Sequence, residues 1–191
     1  MNIFILDNDP AKAAEYIDDI RLSKMAVESS QMLSAAVILH GATPDMMPLT
    51  KKGTPYKGGH PNHPCTVWVG RNRANFLWLY KHGLALCEEY SRRYVGKVHG
   101  SHHAIIALGK LSHLIPEGEL TPFAQAMPDE FRDSDAVKAY RAYYHSKKHS
   151  TAGVRYRLVS WPSWWDDNKE KPVVVERDDE RTVYLKSLGL L

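Results

Sequence analysis

The opening of this chain constrains its fold more than any other segment. Asp9-Pro10 pairs a carboxylate suited to capping free amides with a proline suited to the first helical position, and no glycine or proline follows until Gly41. The reading is one long helix from Pro10 to about Leu39. Ahead of it, Ile3-Phe4-Ile5-Leu6 is too short to distinguish a small strand from a segment tucked under the core. Between Gly41 and Pro64 glycine and proline recur so densely that a long irregular loop is expected, of the kind that often carries function. Apolar spacing then predicts a second helical region from Pro64 to about Tyr94, with Gly70 and Gly83 as places where it bends. A short third helix is expected from Gly100-Ser101 to Leu111, and a fourth from Ser134 or Asp135 to about Lys148. At the C-terminal end, Val173-Val174-Val175 and Thr182-Val183-Tyr184-Leu185 flank a polar turn and read as a β-hairpin. The fold class is therefore mainly α: a single compact domain of three to four main helices over residues 1–165, with residues 166–191 as an extension carrying the hairpin.

Composition narrows the function classes. A 191-residue chain that is 43% hydrophobic and 25% charged is ordinary for one globular domain. It has no run of roughly 18 apolar residues and its first residues lack the pattern of a signal peptide, which predicts a cytoplasmic protein with no membrane partner. Cys65 and Cys87 are too few for a disulfide framework and read as core thiols. Charge is unevenly placed: residues 1–50 carry three basic and seven acidic side chains, and residues 51–110 carry ten basic and two acidic. A basic stretch interleaved with Trp68, Trp78, Tyr80, Tyr90 and Tyr94 suits a surface that meets phosphates and stacks bases. It equally suits solvated cations beside core aromatics.

Several groups in this frame carry candidate chemistry. Arg21, Lys24, Glu28 and Gln31 recur at helical spacing and form one polar stripe, with Asp18 and Asp19 just before it. Carboxylates among cations are what a site acting on a nucleotide needs, to move protons or steady developing positive charge while phosphates are gripped. In the loop, His60, Asn62 and His63 lie between prolines, where the imidazoles can transfer protons, read a base edge or cap the next helix. Arg71, Arg73, Arg92, Arg93, Lys97 and His99 supply further cations or donors, and Tyr140-Arg141 sets a ring beside a cation. His60-x-x-His63, His99-x-x-His102-His103 and His145-x-x-x-His149 have metal-like spacings without a convincing partner set, so no metal is predicted. Phosphate loops of Walker or Rossmann type, a G-x-S-x-G elbow and H-E-x-x-H are absent from the sequence, and no cofactor is predicted.

Two resemblances bear on these residues. Met1 to Asp7, Lys24-Met25, Glu28, Gln31, His60-x-Asn62-His63-Pro64, Trp78-Leu79-Tyr80, Ala126-Met127-Pro128-Asp129-Glu130 and Tyr140-Arg141 are similar to a family of small phage and bacterial proteins that begin Met-Asn-Ile-Phe-x-Leu-Asp, over about residues 1–165. Where those relatives have Tyr-His-Cys-Asp-Lys-His, this chain has Tyr16-Ile17-Asp18-Asp19-Ile20-Arg21, which removes three metal-type ligands. The segment Ala14-Glu15-Tyr16-Ile17-Asp18-Asp19-Ile20-Arg21 also resembles Ala-Glu-Tyr-Arg-Glu-Leu-Pro-Arg of the phage pyrimidine-dimer DNA glycosylase. That resemblance puts Asp18 in the place of the catalytic glutamate and Arg21 in that of an arginine. Tyr56, His63-Pro64 and Leu79-Tyr80 through Glu89 to Arg93 follow the layout of that enzyme's bacterial relatives.

In that glycosylase the attacking group is the amine of a threonine exposed by loss of the initiator Met. Here position 2 is Asn, too large for efficient Met removal, so altered base chemistry is expected rather than an N-terminal Schiff-base lyase. Together these readings predict a phage-type, DNA-binding enzyme that processes or modifies an extruded nucleobase. Asp18, Asp19, Glu28 and His63 are the expected catalytic groups. Arg21, Lys24, Gln31, His60, Asn62, Arg71, Arg73, Arg92, Arg93, Lys97, His99, Tyr140 and Arg141 are the expected contacts. Two alternatives stand beside this: a non-catalytic binder of nucleic acid or a host protein anchored by Trp161, Trp164 and Trp165, and an enzyme acting on a small nucleotide or nucleoside.

Overall fold

The computed structural model describes residues 1–146 and 155–165 in full and the backbone of 173–175. Six helices make the body of the described residues: α1 Pro10–Glu15, α2 Asp19–Leu39, α3 Pro64–Arg71, α4 Arg73–Arg93, α5 His102–Gly109 and α6 Ala136–Ser146. The mainly helical expectation holds. Short 3-10 turns at Ser112–Leu114 and Asp129–Phe131 interrupt the run between α5 and α6. Among the described residues, no helix is long and apolar enough to cross a membrane.

The long first helix is in fact two. Asp9 caps α1 as expected, accepting from Ala11 N and Lys12 N. Asp18 then takes an extended conformation and accepts from Ile20 N and Arg21 N, which starts α2 afresh. The kink lets Ile17 fall into the core with no exposure. The second helical region also divides, at Asn72 rather than at a glycine, because Asn72 leaves helical geometry and caps α4 through Asn75 N. Gly83 bends nothing. It sits where α4 meets α2 and α5, and a Cβ there would lie 3.2 Å from both Ile105 and Ser29, so its missing side chain permits close packing.

Leu22, Met25, Ala26, Ser29, Met32, Leu33 and Ala36 give α2 a continuous buried face against α4 and α3. Each such Leu or Met, fully buried, is worth about 1.5–3 kcal/mol. Ile3 to Leu6 form no strand; all four are buried, with the Phe4 ring against Tyr140, Tyr143 and Tyr144 of α6. Cys65 and Cys87 are buried thiols, and burial raises them to about 11 and about 12. The expected loop over 41–63 is irregular apart from one bridge between Leu49 and Pro55.

The C-terminal hairpin is not part of the described architecture. Arg155–Arg157 (β1) pairs in parallel with Val173–Val175 (β2), joining Arg155 to Val173 and Arg157 to Val175. The other expected arm, 182–185, lies outside the described residues. Trp165 is buried and Trp161 and Trp164 are half-buried; Trp164 and Trp165 pack around His145. They do not form an exposed anchor.

Candidate active site

The site begins with the shape of the first residues. Asn2 turns its side chain back on its own backbone, Oδ1 accepting from Ile3 N at 2.8 Å and Phe4 N at 3.1 Å, while Nδ2 donates to Ala126 O at 2.9 Å. Phe4 follows with a φ of 52°, a left-handed value uncommon for an aromatic residue, and its ring stacks on Tyr143 at 6.0 Å. The strained turn aims the chain's start at α2. Glu28 receives it: its Oε2 accepts from Asn2 N at 2.8 Å, and its Oε1 lies 4.0 Å from the Met1 amino group and 3.6 Å from Lys24 Nζ. A cavity of about 290 Å³ opens here, walled by Asn2, Phe4, Arg21, Lys24, Glu28 and Tyr143.

His63 caps α3, its Nδ1 accepting from Cys65 N at 3.2 Å. That bond leaves the proton of the neutral ring on Nε2. Its pKa lies below the ordinary value, chiefly through burial and then through the positive amino terminus and His60, with Glu28 pulling the other way. These groups therefore share one electrostatic neighbourhood. His60 and Asn62 are exposed on the same loop. Gly59 rests on Gln31, where a Cβ would come within 3.5 Å of that side chain. The structure thus gathers Arg21, Lys24, Glu28, Gln31, His60 and His63 around one edge of α2.

The other expected carboxylates point elsewhere. Asp18 has no exposure: beyond its capping bonds it accepts from Tyr144 Oη and from Arg21, which also lies over the Tyr144 ring. Asp19 faces Arg93 and accepts from Arg157 N at 3.1 Å. Arg93 is wholly buried, bonding Glu89 at 3.1 Å, Asp19 at 3.2 Å and the Ile17 and Glu15 carbonyls at 2.6 and 2.8 Å. Four acceptors, two of them carbonyl groups left at the end of α1, offset the cost of burying that charge. Arg93 is a brace between α1 and α4.

Several other expected contacts are likewise engaged internally. Arg92 pairs with Glu89; Arg73 binds Glu117 and the Ser112, His113 and Ile115 carbonyls. Tyr140, buried, donates to Ala124 O at 2.7 Å and accepts from Ala126 N at 3.3 Å, so it steadies the strand of chain that holds Asn2. Arg141 donates to Leu6 O at 2.9 Å and lies over Trp164. His99 accepts from Ser101 N at Nδ1, and its Nε2 donates to Ser23 Oγ at 3.0 Å. Arg71 and Lys97 are exposed. Asn2, Phe4 and Tyr143 line the cavity without having been expected there. The tendency of Asn to fold its side chain onto following amides was the available signal at position 2. Among the described residues, no three His, Cys, Asp or Glu side chains converge as a metal site would require.

Residues 1–99, just over half of the chain, match the model of the pyrimidine dimer DNA glycosylases. The chain belongs to that family. No curated protein and no solved structure matches it. Family membership supports a glycosylase-type activity in DNA repair, with DNA as partner. Glu28, Lys24, Arg21, His63 and the amino terminus all fall within the part matched to the glycosylases, whereas Tyr143 and Ala126, which complete the cavity and its support, lie beyond it.

Proposed function

We propose that this glycosylase excises a damaged pyrimidine from DNA at the Glu28 cavity, with Glu28 as the working carboxylate and the amine at the start of the chain as nucleophile. The observation that carries this reading is that one carboxylate addresses both candidate nitrogens, Asn2 N at 2.8 Å and the Met1 amine at 4.0 Å, inside a cavity edged by two cations. Retention or loss of Met1 thus leaves an amine beside the same side chain.

In the reaction the lesion is extruded from the stack and the amine attacks C1′ of its sugar. The bond to the base breaks, and the base leaves with the bonding electron pair and takes up a proton; the nitrogen's electron pair then opens the C1′–O4′ bond, O4′ taking a proton, to leave an imine at C1′. Glu28 takes the proton that the terminal ammonium must lose before its nitrogen can attack, and steadies the positive charge developing on the sugar. Arg21 and Lys24 hold the adjoining phosphate. His63, held neutral by burial, donates through Nε2–H. Asp18 acts as a structural residue that fixes Arg21.

The test is a duplex carrying one cyclobutane thymine dimer. Wild type is expected to break the glycosidic bond at the dimer, and borohydride is expected to trap a protein–DNA adduct that maps to the first peptide of the chain. Glu28→Gln should bind the duplex with unchanged affinity and lose about 10²–10⁴-fold in single-turnover excision. Full excision by Glu28→Gln, or an adduct on an internal lysine, would overturn the assignment.

A further inference from the structure

A second cavity lies apart from the Glu28 cavity. A groove of about 550 Å³ runs between α2, the loop over 49–58 and the turn leading into α5. Val27, Ser30 and Gln31 form its floor, so it begins one helical turn from Glu28; three residues of α2 span about 4.5 Å. That distance is comparable to one nucleotide step, a rise of about 3.4 Å per strand. Lys51 and Lys57 line one wall with Thr50, Thr54 and Tyr56, and His99 and His103 line the other. No carboxylate lines it among the described residues.

Lys51 and Lys57 differ from the arginines that had seemed the natural phosphate contacts. Arg73, Arg92 and Arg93 are engaged in ion pairs, whereas Lys51 and Lys57 are exposed and have no ion pair among the described residues. Their loop is also held in place. Gly58, at a φ of +72°, passes so close to α2 that a Cβ would lie 2.7 Å from Ala35 N. At the other end His103 Nε2 donates to Leu49 O at 3.1 Å, and Thr50 and Thr54 close the turn through paired backbone and hydroxyl bonds. The two ammonium groups therefore stand on a fixed wall beside the catalytic cavity, which lowers the ordering cost of binding.

We infer that this groove holds the DNA backbone flanking the excised base, with Lys51 and Lys57 as its phosphate contacts. Tyr56 and His103, whose rings meet edge to face at 6.2 Å, bound the groove where a sugar would lie. The inference rests on the proposed function only in taking DNA as the partner and the Glu28 cavity as the place of chemistry.

The test is binding of a dimer-containing duplex by fluorescence anisotropy at several salt concentrations. It compares wild type, a Lys51→Ala/Lys57→Ala double variant, and a Lys81→Ala/Lys110→Ala variant of equal net charge whose exposed lysines lie outside the groove. Loss of two phosphate contacts should reduce the slope of log affinity against log salt by about 1.8. The control variant should leave the slope within about 0.5 of wild type. The DNA concentration that half-saturates single-turnover excision should rise in the groove variant and stay at the wild-type value in the control. An unchanged slope in the groove variant, or an equal loss in the control, overturns the inference. If the groove variant loses slope while wild type excises nothing, the proposed chemistry fails and the groove assignment stands.

Discussion

Asp18 is the residue on which a structural and a catalytic reading separate most cleanly. Asp18→Asn keeps a capping oxygen for α2, since Asn caps as well as Asp. It removes the negative charge from a site with no exposure where Arg21 and Tyr144 both converge. Losing charge-assisted hydrogen bonds of this kind costs about 1.5–3 kcal/mol. For a chain of this size that is a fall in Tm of roughly 3–12 °C. Asp18→Ala removes the cap as well, adding about 1 kcal/mol, and leaves Arg21 without its partner carboxylate. Urea denaturation followed by tryptophan fluorescence reads both differences. Excision at saturating DNA, measured below the onset of unfolding, should stay within about threefold of wild type for Asp18→Asn. If Asp18→Asn were as stable as wild type and had lost excision by 10²-fold or more, Asp18 would be the catalytic carboxylate and the placement of Glu28 would be wrong.

Two further outcomes follow from backbone and burial. Gly58→Ala forces a left-handed alanine, costing about 1–2 kcal/mol, and sets its Cβ 2.7 Å from Ala35 N; denaturation should show at least that loss, and DNA affinity should fall as Lys57 is displaced. His82 is buried against Trp78, with Nδ1 donating to Pro10 O at 2.9 Å, and burial lowers it to about 4. The unfolded chain then takes up the proton first, so stability is full above about pH 6.5 and declines as pH falls toward 4, by up to about 3 kcal/mol. Urea midpoints at pH 7 and 4.5 should therefore separate more for wild type than for His82→Gln; equal separations would show that His82 does not carry the acid sensitivity.

Much of the frame was legible in local chemistry. Asp9-Pro10 capped α1 as expected, Asp135 accepts from Val137 N and Lys138 N at the start of α6, and the glycines and prolines of 41–63 gave an irregular loop. The break before α2 was hidden because an Asp inside a helical run reads equally as a surface residue or a cap. What decides it is Tyr144, 126 residues away, whose hydroxyl binds both the backbone and the carboxylate of Asp18. The same distance in sequence hid the site. Spacing placed Arg21, Lys24, Glu28 and Gln31 on one stripe, but which carboxylate stays available depends on partners supplied by tertiary contact: Asp18 is taken by Tyr144, Asp19 by Arg93, and Glu28 by the start of the chain. Local propensity likewise could not show that the arginines would be used as internal braces while lysines of the loop remained open.

The family match ends at residue 99, yet the buried charges of that half are closed over by the other. Tyr144 covers Asp18, Tyr156 lies under Arg93 and donates to Tyr16 O, Arg157 N binds Asp19, and Ala126 anchors Asn2. On the ribosome, at 5–20 residues per second, the gap between residue 99 and residue 157 lasts roughly 3–12 s. Through that interval the nascent half holds Asp18, Arg21, Asp19 and Arg93 without their final cover, and the turn that brings Asn2 to Glu28 lacks its anchor. Completion of the Glu28 cavity therefore comes late in synthesis, set by the arrival of α6 and β1 rather than by completion of the segment that carries Glu28 and the amino terminus.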